Sequence, residues 1–208
     1  MPWEGPAAPY RIETERLVLR CYEAADAPLL KDAIDSSMDH LWEFSVWLAA
    51  GPPSLEEEIL VIETFRAAFD SAESFTYGIF DRETQTLLGG AGLHARVGPG
   101  GLEIGYWVPA SATRRGIATE AAAVLAHVGF EVCEADRIEI RIDPDNTRSL
   151  GVPRKLGFPV EATLRRRLPA RPGESLRDVV IHTLFREDHD AAMAPPLRAF
   201  DALGRQLL

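Results

Sequence analysis

Ala112-Thr113-Arg114-Arg115-Gly116-Ile117-Ala118-Thr119-Glu120-Ala121 is a loop with a single glycine that passes directly into an amphipathic helix. Ile117, Ala121, Val124, Leu125, Val128 and Val132 recur at helical spacing behind it. Upstream, 102–108 (LEIGYWV) reads as a strand, and downstream 137–143 (RIEIRID) reads as another. The order strand, helix, strand predicts a crossover that joins parallel neighbours. A helix start offers unpaired N–H groups and the positive end of a dipole, and small residues at 116 and 118 let an anion approach the backbone. The stretch is a candidate phosphate cradle, although one glycine before a helix serves equally as plain structure. Neither a Walker loop nor a Rossmann fingerprint is present.

Outward from this stretch the chain keeps alternating. Residues 75–80 and 87–95 precede 102–108 as strand candidates with polar or glycine-rich turns between them, an antiparallel meander. Before them, 16–22 (RLVLRCY) alternates as a half-buried strand would, a helix is predicted over 28–37, and Ser54 with Glu56, Glu57 and Glu58 opens a second over 55–71. Between those helices, Met38, Leu41, Trp42, Phe44, Trp47 and Leu48 lack clean periodicity, so the segment reads as core or as pocket wall. After 137–143, Asp143-Pro144-Asp145-Asn146 turns into a short helix, and strands are expected at 158–166 and 177–186. In the tail, Met193, Leu197, Phe200, Leu203 and Leu207 have helical spacing, which suggests a short helix docking on the domain or on a second subunit of a homodimer.

A chain of 208 residues with 46% hydrophobic and 26% charged positions has the composition of an ordinary globular domain with one sizeable core. Its formal charge of −10 argues against nucleic acid or an anionic membrane as partner. Cys21 and Cys133 sit in apolar patterns and are too few for a disulfide framework or a zinc site, so buried thiols and no metal are expected. No long apolar stretch and no leader pattern are present, which predicts a cytoplasmic protein.

Thr14-Glu15-Arg16-Leu17-Val18-Leu19-Arg20, Leu41-Trp42 with Trp47, Glu103-Ile104-Gly105-Tyr106-Trp107, Gly116-Ile117-Ala118-Thr119-Glu120-Ala121, Asn146-Thr147-Arg148-Ser149 and Lys155-Leu156-Gly157-Phe158 together resemble the GCN5-related N-acetyltransferase (GNAT) superfamily, in its RimJ/RimL-like branch. The resemblance spans about 11–187, leaving 188–208 as a tail. It implies an α+β fold whose mixed, mostly antiparallel twisted sheet has about seven strands, is flanked by helices and splays between the fourth and fifth. It also implies acetyl-CoA, or another short acyl-CoA, as cofactor and direct attack by a primary amine, either a protein N-terminus or a small amine.

Carried over by position, the backbone of Trp107 and Val108 would pair with pantetheine amides, and the N–H groups of Arg114, Arg115, Gly116, Ile117, Ala118 and Thr119 would hold the pyrophosphate. Asn146 would contact the pantetheine arm, and Ser149 would hydrogen-bond the sulfur and protonate the leaving thiolate. On local grounds Asn146 is equally an ordinary N-cap with Ser149 at its N3 position. The family's usual Gln or Arg is Thr113 here, which removes a side-chain phosphate contact, and Pro153 within the short helix deletes a backbone bond. Glu103 is the first candidate for the general base, with Glu139, Arg141, His94 and His182 behind it. Trp42, Phe44 and Trp47 are candidate acceptor-binding residues, and Glu43 and Asp39 beside them favour a cationic acceptor. Two other classes compete: a non-catalytic acyl-CoA sensor on the same fold, and a phosphate-ligand binder unrelated to CoA.

Overall fold

A computed structural model describes residues 2–45, 48, 51–170 and 175–208. Alternate side chains of the early strands feed two cores, one on each face of a sheet. From β2 (Leu17–Cys21), Leu17, Leu19 and Cys21 join the apolar face of α4 (Ile117–Glu131), while Val18 and the adjacent Tyr22 join Leu30 and Ile34 of α1 (Ala27–Asp35) and Ile62 of α3 (Leu55–Asp70). The expected half-buried strand is thus buried on both faces.

The other strands are β1 (Arg11–Glu13), β3 (Ser74–Asp81), β4 (Leu87–His94), β5 (Gly101–Trp107), β6 (Arg137–Ile142), β7 (Val160–Leu168), β8 (Arg177–Phe185) and β9 (Arg198–Phe200). They form one sheet in the order β7-β8-β6-β5-β4-β3-β2-β1-β9. Every neighbouring pair is antiparallel except β5 and β6, which α4 links as the predicted crossover. Two short helices, α2 (Met38–Leu41) and α5 (Thr147–Lys155), complete the set.

Nine strands replace the expected seven because β1 and β9, three residues each, are too short to show a period in the sequence. The expected tail helix is corrected at the same place. Pro195-Pro196 hold the chain extended, and β9 pairs antiparallel with β1, covering the edge that the hairpin would otherwise leave open. The tail therefore docks on its own domain as a strand, with Ala199 fully buried and Arg198 reaching Glu13 at 2.7 Å.

α3 begins with the reciprocal cap its sequence announces: Glu57 N–H donates to Ser54 Oγ at 3.2 Å, and Ser54 N–H donates to a Glu57 carboxylate oxygen at 2.7 Å. Its next acid behaves differently. Glu58 turns inward, is 1% exposed and leaves Oε1 without a partner, and burial pushes its carboxyl up to about 7. The folded state holds this proton more tightly than the unfolded state. Its stabilising share is complete below the unfolded value near 4.5 and is lost as pH rises through about 7. Between pH 5 and pH 8 the wild type should lose about 2.5 kcal/mol more stability than Glu58→Gln does. Denaturant melts of both forms at four pH values test this, and parallel pH profiles would mean that the carboxyl is hydrated.

Candidate active site

β5 and β6 start as hydrogen-bonded neighbours and then part. Their ladder runs from Gly101–Arg137 to Glu103–Glu139 and stops, whereas β5 continues to Trp107 and β6 to Ile142. On its other side β5 remains paired with β4 out to Trp107–Gly90. That pairing is close, since a Cβ on Gly89 would lie 2.2 Å from the Trp107 carbonyl oxygen. Facing β6, the backbone from Ile104 to Trp107 has no strand against it among the described residues, which opens a wedge between the two strands.

α4 starts at the mouth of this wedge. Its N-cap, Gly116, has φ +79° and no side chain caps the helix, which leaves the first N–H groups to water or a ligand. Arg114 is also left-handed at φ +58°, and such a turn curves successive N–H groups into a concave nest for anions. A Cβ on Gly116 would meet nothing nearer than Arg16 Nη2 at 3.8 Å, so the space over the helix start is open. These residues fit a pyrophosphate. Thr113 spends its hydroxyl on the Ala110 carbonyl at 2.9 Å, consistent with a side chain engaged in the turn.

Sequence reasoning missed Arg16 as part of this cradle. Its Nε donates to Glu120 on the first turn of α4 at 2.9 Å, and its Nη1 donates to the Arg115 carbonyl at 3.4 Å. Thr14 donates to the other oxygen of Glu120 at 2.7 Å. One acid thus pins the β1–β2 turn onto the helix start, with a guanidinium beside the open space. The two segments lie about a hundred residues apart in the chain, and no local pattern connects them.

At the far side of the wedge, α5 carries the expected cap: Asn146 Oδ1 accepts from Ser149 N–H at 3.1 Å. Pro153 lies inside the helix and has no N–H for the carbonyl four residues back, which is that of Ser149. Tyr106 supplies the missing donor. Its hydroxyl lies 3.2 Å from the Ser149 carbonyl oxygen and 2.9 Å from Ser149 Oγ. Burial pushes the Tyr106 phenol up to about 12, so it stays protonated and able to donate. The proline that seemed a defect leaves an acceptor that ties α5 to the unpaired half of β5. Tyr106 as partner of Ser149 is the second residue missed in the sequence.

The structure does not gather the candidate bases around that hydroxyl. Glu103 lies on the paired half of β5, with its side chain on the face opposite to that of Tyr106. Arg96 grips it with two bonds, at 2.9 and 2.6 Å, and it is 7% exposed. Glu139 is held likewise by Arg137 at 3.1 Å and Arg141 at 2.9 Å. His94 meets Ser74 Oγ at 2.6 Å, and burial pulls it down to about 4. His182 is buried, with Nδ1 at 3.1 Å from the Phe158 carbonyl oxygen.

The aromatic segment does reach the wedge. Ala110 N–H, just beyond β5, donates to Ser37 Oγ at 3.0 Å, and His40 of α2 lies 3.4 Å from Arg148 of α5. Trp42 follows α2 and is 44% exposed, while Phe44 is half-buried. Trp47 lies outside the described residues.

Comparison with known proteins agrees with this geometry. The acetyltransferase (GNAT) domain family matches residues 16–159. The uncharacterized N-acetyltransferase YoaA of Bacillus subtilis (strain 168) is 30% identical over 155 residues, which cover 74% of this chain and 85% of that protein. Among solved structures, RimJ of Mycobacterium smegmatis in complex with CoA-disulfide superposes with TM-score 0.78 at 24% identity, covering 88% of this chain and 90% of that one. RimL, a ribosomal L7/L12 alpha-N-protein acetyltransferase in complex with coenzyme A, superposes with TM-score 0.75 at 21% identity, covering 86% and 97%. Among the described residues, no helix is long and apolar enough to cross a membrane.

Proposed function

The chain belongs to the GNAT acetyltransferase family and is an acyl-CoA-dependent N-acetyltransferase, and from that premise we propose that it acetylates the α-amine of a protein or peptide N-terminus. The observation that carries this reading is the meeting of Tyr106 and Ser149 at the unpaired half of β5, with the open start of α4 nearby.

Acetyl-CoA, when bound, supplies an electrophilic thioester. Around it, the backbone of β5 beyond the end of its β6 ladder, at Trp107 and continued by Val108, would orient amides, and the N–H groups from Arg114 to Thr119 with Arg16 would hold the phosphates. Asn146 presents its amide at the α5 start, and as the amine nitrogen bonds to the acyl carbon and the C–S bond breaks, the Ser149 hydroxyl beside Tyr106 would pass its proton to sulfur and regain one, through water, from the nitrogen that must lose it. Trp42 and Phe44 wall the acceptor side, where Asp39 and Glu43 attract an ammonium. The buried, reduced Cys21 and Cys133 suit a cytoplasmic setting.

The acceptor class follows from how the candidate bases are engaged among the described residues. With Glu103 and Glu139 clamped by arginines, an amine that loses its proton unaided has the advantage. At pH 7.5 about a third of an α-amine is neutral, against about one lysine amine in a thousand. RimL, of the same fold, is an alpha-N-protein acetyltransferase. Thiol release from acetyl-, propionyl- and succinyl-CoA should be fastest with acetyl-CoA and N-terminal peptides, and absent when the terminus is blocked. Preference for a lysine side chain or a small polyamine would overturn the acceptor assignment, and no turnover on any amine would favour the sensor reading.

For Glu103 the expected outcome is correspondingly mild. Glu103→Gln should keep kcat/KM within about threefold of wild type, with the same rise through the acceptor pKa near 8. A loss beyond tenfold together with a displaced alkaline limb would restore Glu103 as the base.

A further inference from the structure

We infer that His127, Glu131 and His189 form a binding site for a borderline divalent transition cation of the zinc class, which clips the segment after β8 to the C-terminal half of α4. His127 and Glu131 stand four residues apart on one face of α4, and His189 comes from the chain beyond β8. One ligand atom from each of the three lies within 4.8 Å of the others.

The spacing of the two histidines fits the ion. Nδ1 of His127 and Nε2 of His189 share a hydrogen bond at 3.2 Å. Two imidazole nitrogens bound tetrahedrally at about 2.05 Å stand about 3.3 Å apart. The pair is therefore set at ligand spacing before any ion arrives. The His189 ring packs against Phe130, centroids 4.8 Å apart, and shares a hydrogen bond with His127 that an ion between the two nitrogens would replace.

The charge of the cluster agrees. Glu131 makes no ion pair among the described residues, so its carboxylate is not already committed to a cation. On its other side His189 lines a cavity of about 180 Å3 together with Ala126, Phe158, Leu184, Asp188 and Asp190. Two imidazoles and one carboxylate suit zinc-class ions and not calcium or magnesium, which prefer oxygen sets.

Cysteine counting in the sequence gives no hint of this site, because its third ligand is brought in by the fold from position 189. It lies toward the C-terminal end of α4, whereas the phosphate cradle occupies the helix start, so occupancy should leave coenzyme A binding unchanged.

The test uses full-length protein stripped with EDTA. Calorimetric titration with zinc chloride should give one ion per chain with Kd of about 10 μM or tighter. Melting at about a hundred times Kd should be raised by about 5–10 °C. His189→Ala and Glu131→Gln should each weaken binding at least tenfold while keeping the metal-free melting temperature within a few degrees. Wild-type affinity weaker than about 100 μM, or both variants binding as wild type does, would overturn the site. Should His189→Ala fail to fold, Glu131→Gln, an isosteric change at an exposed position, decides alone.

Discussion

Gly116→Glu should abolish measurable binding of coenzyme A, a loss of at least a hundredfold, while the domain stays folded. Two effects separate cleanly at this position. The first is backbone strain, because Gly116 sits at φ +79°, where any side chain costs about 1 kcal/mol. The second is electrostatic, because a carboxylate would enter the space over the uncapped first turn of α4 and take the N–H groups intended for phosphate. Gly116→Ala isolates the first effect. Its Cβ has nothing of the protein within 3.8 Å, so it should cost modest stability and less than tenfold in affinity. Calorimetry with coenzyme A on both variants measures the difference. If Gly116→Glu binds within twofold of wild type, the anion cradle is elsewhere in the protein.

The contrast between these two variants shows which parts of the site a sequence can carry. The cradle is local: loop, glycine and helix are contiguous from 112 to 121, and the physics of a helix start is the same in every fold. The crossover was legible for the same reason, and so was the cap of α5, where Asn146 meets Ser149 three residues on. What failed was everything that depends on partners distant in the chain. Arg16 joins the cradle through Glu120, and Tyr106 reaches Ser149 through a carbonyl that Pro153 leaves unpaired. The helical spacing of the tail was real but idle, since two prolines and an open β1 edge outweigh a weak apolar period. Glu103 looked unconstrained on its strand because Arg96, seven residues back across a turn, carries no sign in the sequence that it folds over it.

Ser149→Ala should lower kcat by about a hundredfold and leave the affinity for acetyl-CoA within about threefold, the signature of a group that acts only as the thiolate leaves. The argument rests on position. The hydroxyl is held 2.9 Å from a phenol that stays protonated to about 12, so it has a partner ready to share the charge that develops when its own proton moves to sulfur. Tyr106→Phe tests that coupling. It removes the donor to the Ser149 carbonyl that Pro153 exposes and the hydrogen-bond partner of the Ser149 hydroxyl, and so should cost both stability and turnover. If the two hydroxyls work as one unit, the double variant should lose little more than Ser149→Ala alone, whereas independent roles would multiply the losses. Because thiolates leave readily, the effect should shrink with a more activated thioester, while a purely structural role would depress every donor equally. Unchanged turnover for Ser149→Ala with acetyl-CoA would assign Tyr106 and Ser149 to anchoring α5 and would leave solvent to protonate the sulfur.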